Sequence, residues 1–126
     1  MYNIIYMKIP DTLVSREDLR AILEKNNGVI IIKFTASWCG PCKKIEALVN
    51  QYFDMMPQEI STIEVDIDEG FDVYGFLRSK KVVNGIPVIL AYYKNNLHYV
   101  PDDIVIGSDP IQIKLFFSRC LIQIKQ

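Results

Sequence analysis

The sequence predicts an α/β protein, a mixed central sheet of about five strands flanked by four helices. Three observations predict it. Apolar runs of strand length alternate with segments of helical period along all 126 residues, with no repeat, linker or low-complexity stretch, so residues 1–126 read as one domain. Val29 to Phe34 is nearly unbroken apolar and β-branched, the mark of a central strand covered on both faces. A Cys-Gly-Pro-Cys string, Cys39 to Cys42, follows that strand directly and opens a helix. Sites in open α/β sheets lie at that end of the strands.

Tyr2 to Ile9 reads as a first strand closed by Pro10. Ser15 caps the first helix with Asp18 three residues on, Leu19, Ile22 and Leu23 form its apolar face, and Asn26-Asn27-Gly28 stops it. Ile45, Leu48, Val49, Tyr52, Phe53 and Met56 recur at helical spacing up to Pro57. Ile60 to Asp66 is the next strand and Phe71 to Arg78 a shorter helix. Val88 to Tyr93 and Tyr99 to Ile106 read as two strands joined through the turn-prone pair Asn95-Asn96. Gly107-Ser108-Asp109-Pro110 opens the last helix, whose stripe is Ile113, Phe116, Phe117, Cys120, Leu121 and Ile124.

The cysteine pair carries the chemistry. A thiolate, not a thiol, attacks a disulfide, and the free N–H groups and positive dipole end of a helix N-terminus favour a negative sulfur. Cys39 falls at or just before the first helical residue. Pro41 falls where its missing N–H costs nothing, and Gly40 allows a tight turn that leaves the Cys39 sulfur uncovered. Cys39 is therefore the attacking sulfur, and Cys42, one turn in and more buried, resolves the mixed disulfide. A structural zinc site takes four ligands, and the remaining candidates are Cys120 and His98, without a second pair at ligand spacing. An inert disulfide across so short a loop constrains the unfolded chain little.

Net charge is −1, which offers no basic field for nucleic acid and no polybasic patch for a membrane. Met1 to Lys8 lacks the basic start and long apolar core of a signal peptide, and no apolar run approaches the ~20 residues of a membrane span. Three cysteines in such a chain point to a reducing compartment, the cytoplasm. His98 reads as an exposed surface residue, Cys120 as a buried structural thiol, and Asp66, Asp68 and Glu69 as acids of a helix start rather than a cation site.

Phe34-Thr35-Ala36-Ser37-Trp38-Cys39-Gly40-Pro41-Cys42-Lys43, with the apolar strand before it, Gly85-Ile86-Pro87 and Ile106-Gly107, resembles the thioredoxin family across nearly the whole chain. The resemblance implies a thioredoxin fold and a protein disulfide reductase active in electron transport. It implies disulfide-containing protein substrates, a recycling reductase of the thioredoxin reductase type, a monomer, and a cycle that needs no metal or organic cofactor. It places Trp38, Gly40, Pro41, Ile67, Gly85, Ile86, Pro87, Ile106 and Gly107 along a shallow groove where an extended substrate segment lies beside Cys39. A cis Ile86–Pro87 bond there turns the Ile86 backbone outward to pair with that segment. The competing readings are an adaptor subunit with incidental redox activity, and an oxidase or isomerase.

The chain departs from the family pattern at Lys33, where thioredoxins usually bury an aspartate below the second cysteine; the neighbouring lysine position holds Glu64. A charge-swapped, buried Lys33–Glu64 pair is expected, since an unpaired buried ammonium is very costly. Three mechanisms stay open. A cationic Lys33 favours the Cys42 thiolate, or Lys33 is neutral and acts as base, or Glu64 is the base through water. The alternative is a structural Lys33 that snorkels to solvent. Ala47 stands where the family often carries a kinking proline, which predicts a straighter helix. The segment Leu97 to Asp103 is longer than the family's usual hairpin.

Overall fold

The computed structural model describes residues 13–125. Eight elements run α1 (Arg16–Lys25), β1 (Val29–Thr35), α2 (Gly40–Met55), β2 (Ile60–Asp66), α3 (Phe71–Ser79), β3 (Val88–Tyr93), β4 (Asp103–Ile106) and α4 (Pro110–Ile124). The expected first strand, Tyr2 to Ile9, lies outside the described residues. The described sheet therefore has four strands, in the order β2-β1-β3-β4. It is mixed: β1 pairs β2 in parallel, and β3 pairs both β1 and β4 antiparallel.

Side-chain alternation along β1 divides the core. Ile30, Ile32 and Phe34 point to the face covered by α1 and α3, where they pack with Leu19, Ile22, Val73 and Leu77. Val29 and Ile31 point to the other face, against Ile45 and Val49 of α2 and Ile113, Phe116 and Phe117 of α4. Every residue from Val29 to Phe34 is buried, as a central strand requires. Truncating a core aromatic such as Phe116 costs about 3–5 kcal/mol.

Local signals place the helix ends. The Ser15 hydroxyl accepts from the Asp18 amide at 3.1 Å, and the Asp18 carboxylate accepts from the Ser15 amide at 3.0 Å, a reciprocal capping box. Asp109 caps α4 by accepting from the Ile111 amide at 2.9 Å, with Pro110 as the first helical residue. Gly28 leaves no room for a side chain, because a Cβ there overlaps the Glu59 carbonyl. Helix α2 runs unbroken through Ala47 to Met55.

Two expectations are corrected. The fourth strand begins at Asp103 rather than Tyr99. Residues 94–101 fold on themselves before the chain rejoins the sheet, where the Asp102 amide donates to the Ala91 carbonyl at 2.9 Å; the Asp102 carboxylate accepts from the Tyr93 amide and the Asn96 side chain, and Asn96 in turn bonds the Val100 carbonyl and the His98 amide. Side-chain bonds of this kind compete with strand pairing. The acids Asp66, Asp68 and Glu69 do not start α3 either. They form a turn in which Asp66 accepts from the Asp68, Glu69 and Gly70 amides, and the first-turn acid of α3 is Asp72, paired with Arg16 at 3.0 Å.

Candidate active site

The end of β1 delivers the chain to the site. Ala36 accepts from the Cys39 amide at 3.2 Å, and the Cys39 carbonyl accepts from the Lys43 amide at 3.2 Å, so Cys39 is the residue on which α2 begins. It is the helix N-cap, and its Sγ accepts from the Cys42 amide at 3.2 Å. Gly40 and Pro41 are the first two helical residues, where a proline forfeits no intrahelical bond. The sulfur thus sits against the free amides and positive end of a helix of 16 residues.

Cys39 and Cys42 are joined as a disulfide. Cys42 is the more buried, at 1% exposure against 5% for Cys39. The expected uncovered Cys39 sulfur is corrected here. In the disulfide form the ring folds inward against Ala36, Ile67 and Ile86, and only an edge of Cys39 meets solvent. Gly40, next in the chain, itself faces open space, since a Cβ there would meet nothing within 4 Å.

Of the expected groove, Ile67 and Ile86 pack directly against the cysteines. The Ile86–Pro87 bond is cis, and the Ile86 carbonyl lies 3.9 Å from the Cys39 sulfur. The Pro87 carbonyl accepts from the Gly107 amide at 3.0 Å, which brings Ile106-Gly107 beside Ile86-Pro87. Gly107 has φ +91°, a backbone that side chains rarely adopt. Ile67 is held by its amide to the Thr35 carbonyl at 2.9 Å and packs half-buried on the cysteines. Trp38 is 64% exposed and Ile106 71% exposed, and a Cβ on Gly85 would also meet open space.

Sequence reasoning missed Asp68 as a partner of this surface. The Trp38 indole N–H donates to the Asp68 carboxylate at 2.9 Å. No local signal pointed to it, because an exposed indole N–H can donate to water as well and Asp68 lies 30 residues away in the chain.

A charge pair joins the neighbouring strands β1 and β2. Lys33 points, by alternation, to the α2 and α4 face of the sheet, and it is fully buried, so it does not snorkel to solvent. Its Nζ lies 3.1 Å from Glu64 Oε1. The contact is an ion pair and not an aligned hydrogen bond, since Nζ has no hydrogen-bond partner among the described residues. Only the lysine end is buried. Glu64 keeps 48% of its side-chain surface, which corrects the expected wholly buried pair. Glu64 and Cys42 line one cleft of about 380 Å³, together with Lys43, Glu46 and Asp66.

Two residues fall elsewhere. Cys120 is buried in α4 and free, and burial, with the nearby Asp103 charge, pushes its thiol up to about 12. His98 stacks on Tyr99 in the loop before β4, and its Nδ1 accepts from the Val100 amide.

A disulfide at the N-terminus of a helix, at the C-terminal end of a central strand and beside a cis-proline, defines a thiol–disulfide oxidoreductase. The thioredoxin family model matches residues 11–112. Thioredoxin-1 of Saccharomyces cerevisiae is 31% identical over 86 residues, 68% of this chain and 75% of that protein. Thioredoxin of Bacillus subtilis is 31% identical over 79 residues, 63% of this chain and 72% of that one. Among solved structures, Fasciola hepatica thioredoxin superposes with a TM-score of 0.68 at 24% identity, covering 85% of this chain and 95% of that chain. Oxidised thioredoxin O2 of Arabidopsis thaliana superposes with 0.65 at 25% identity, covering 85% and 90%. The chain belongs to the thioredoxin family and is a protein disulfide reductase that works by dithiol–disulfide exchange.

Proposed function

We propose that Cys39 is the attacking sulfur and Cys42 the resolving one, and that the surface around them holds an extended, disulfide-bearing segment of a protein substrate. The observation that supports this most is the asymmetry of the pair. Cys39 is the N-cap, at the positive helix end with one edge reaching solvent, while Cys42 is one turn in and more deeply buried. Trp38, Gly40, Pro41, Ile67, Gly85, Ile86, Pro87, Ile106 and Gly107 form the walls against which the segment lies. Main-chain pairing with Ile86 supplies affinity that does not depend on the partner's sequence.

The cycle carries two electrons. The Cys39 thiolate attacks a substrate disulfide and releases one substrate thiolate. Cys42 then attacks Cys39, releases the second, and leaves the disulfide seen here. A second dithiol protein, a reductase of the thioredoxin reductase type, restores the pair, so the chain serves as a monomeric electron carrier in the cytoplasm. Among the described residues no helix is long and apolar enough to cross a membrane. Lys33 and Glu64 belong to the same site, as the charge pair at the cleft that Glu64 shares with Cys42.

Reduction of insulin by dithiothreitol, followed with and without the protein, tests the reading. Catalysis by the parent, its loss in Cys39→Ser, and a trapped mixed disulfide in Cys42→Ser are expected. Equal turnover by parent and Cys39→Ser would favour the adaptor reading. A redox potential above that of the cytosolic glutathione pool would favour the oxidase.

A further inference from the structure

We propose that Glu64, held in place by Lys33, takes the Cys42 proton when Cys42 resolves the mixed disulfide. The inference rests on the cysteine roles given above and assigns the acid–base chemistry of the same site.

Cys42 must lose a proton before it can attack, and its side chain is almost fully buried. The cleft it lines with Glu64 is the polar space beside it. Three carboxylates and one ammonium face that cleft: Glu64 and Asp66 from β2, and Glu46 and Lys43 from α2. Lys33 of β1 faces Glu64 from within the sheet. Asp66 is committed, because its Oδ1 already accepts from the Asp68 amide at 2.8 Å. Glu46 is an exposed side chain on the helix surface, with no bond that fixes it among the described residues. Of the three, Glu64 is the carboxylate paired with a buried cation, one that has no other acceptor among the described residues. Its remaining exposure keeps a path to solvent for the proton.

The step balances. The Cys42 S–H bond breaks and the proton passes, through water in the cleft, to the Glu64 carboxylate. The sulfur electron pair forms the Cys42–Cys39 bond as the bond from Cys39 to the substrate sulfur breaks. The substrate leaves as a thiolate and is protonated by solvent. The dithiol is oxidised by two electrons and the substrate disulfide reduced by two. Lys33 touches no reacting atom and is a positioning residue.

Rapid mixing of reduced protein with a peptide disulfide, acid quenching and mass spectrometry separate attack from resolution. Glu64→Gln keeps an amide oxygen for Lys33 and removes the base. At pH 7 its resolution rate is expected to fall at least about 10²-fold, the lower end of the about 10²–10⁴-fold of general-base catalysis, with attack changed less than twofold. Between pH 6 and 8 its resolution should then rise about tenfold per pH unit, as hydroxide replaces the missing base. Asp66→Asn should leave resolution within threefold. A smaller fall in Glu64→Gln, an equal fall in both steps, or the same fall in Asp66→Asn overturns the assignment. Failure of the parent to attack the peptide would instead sink the dithiol reading on which it rests.

Discussion

Lys33 and Glu64 are register partners on the parallel strands β1 and β2, and their side chains meet at 3.1 Å. The lysine contributes a buried charge, and the glutamate is what makes that charge tolerable. An ion pair in this setting need not add net stability, but removing the glutamate strands the buried lysine.

The two halves of the pair should therefore respond differently. Glu64→Leu leaves an unpaired ammonium in the sheet and should cost about 1–3 kcal/mol, less than a wholly buried pair because water reaches the glutamate side. Lys33→Met removes the buried charge and should be near neutral or stabilising, with Lys33→Met/Glu64→Leu more stable than Glu64→Leu alone. Urea unfolding of the oxidised protein at pH 7 measures all three. Equal losses in the two single variants would count against this account.

Asp18 sets part of the acid stability. Hydrogen bonds from the Ser15 and Val14 amides hold its carboxyl below the usual value of 3.8. A group depressed in the folded state contributes stability that is fully present above its unfolded value and is lost as pH falls through the folded one. Asp18→Asn should flatten the decline in stability below about pH 4 relative to the parent. The check is the thermal midpoint of both proteins between pH 2.5 and 7; parallel curves would refute it.

Cys120 should be silent chemically. With its thiol raised to about 12, its thiolate fraction at pH 8 is roughly one in ten thousand. Iodoacetamide should modify Cys39 of the reduced native protein within minutes, and reach Cys120 only after denaturant is added. Peptide mapping of the alkylated protein decides it, and native labelling of Cys120 would contradict its burial.

Much of this site was legible in the residue string because it rests on local chemistry. Ser15 with Asp18, Asp109 with Pro110, and the Cys-Gly-Pro-Cys turn each bond within about one helical turn, so neighbours in sequence suffice to read them. The run from Val29 to Phe34 likewise marks its own strand, since a segment that is apolar on both faces must be covered on both. The register of β1 against β2, and so the meeting of Lys33 with Glu64, could be anticipated only through the family pattern.

Tertiary structure alone decided the rest. That β4 begins at Asp103 depends on Asp102 and Asn96 capturing backbone groups in the loop before it. That Lys33 is sealed while Glu64 stays half open depends on how α2 lies over the sheet. The Trp38 bond to Asp68, and the cleft shared by Cys42 and Glu64, join residues far apart along the chain. The sequence by itself determined which residues can react and where helices begin, because those are contests between near neighbours. Distances, exposure and the partners of the buried charge come from packing, which no local window of the chain contains.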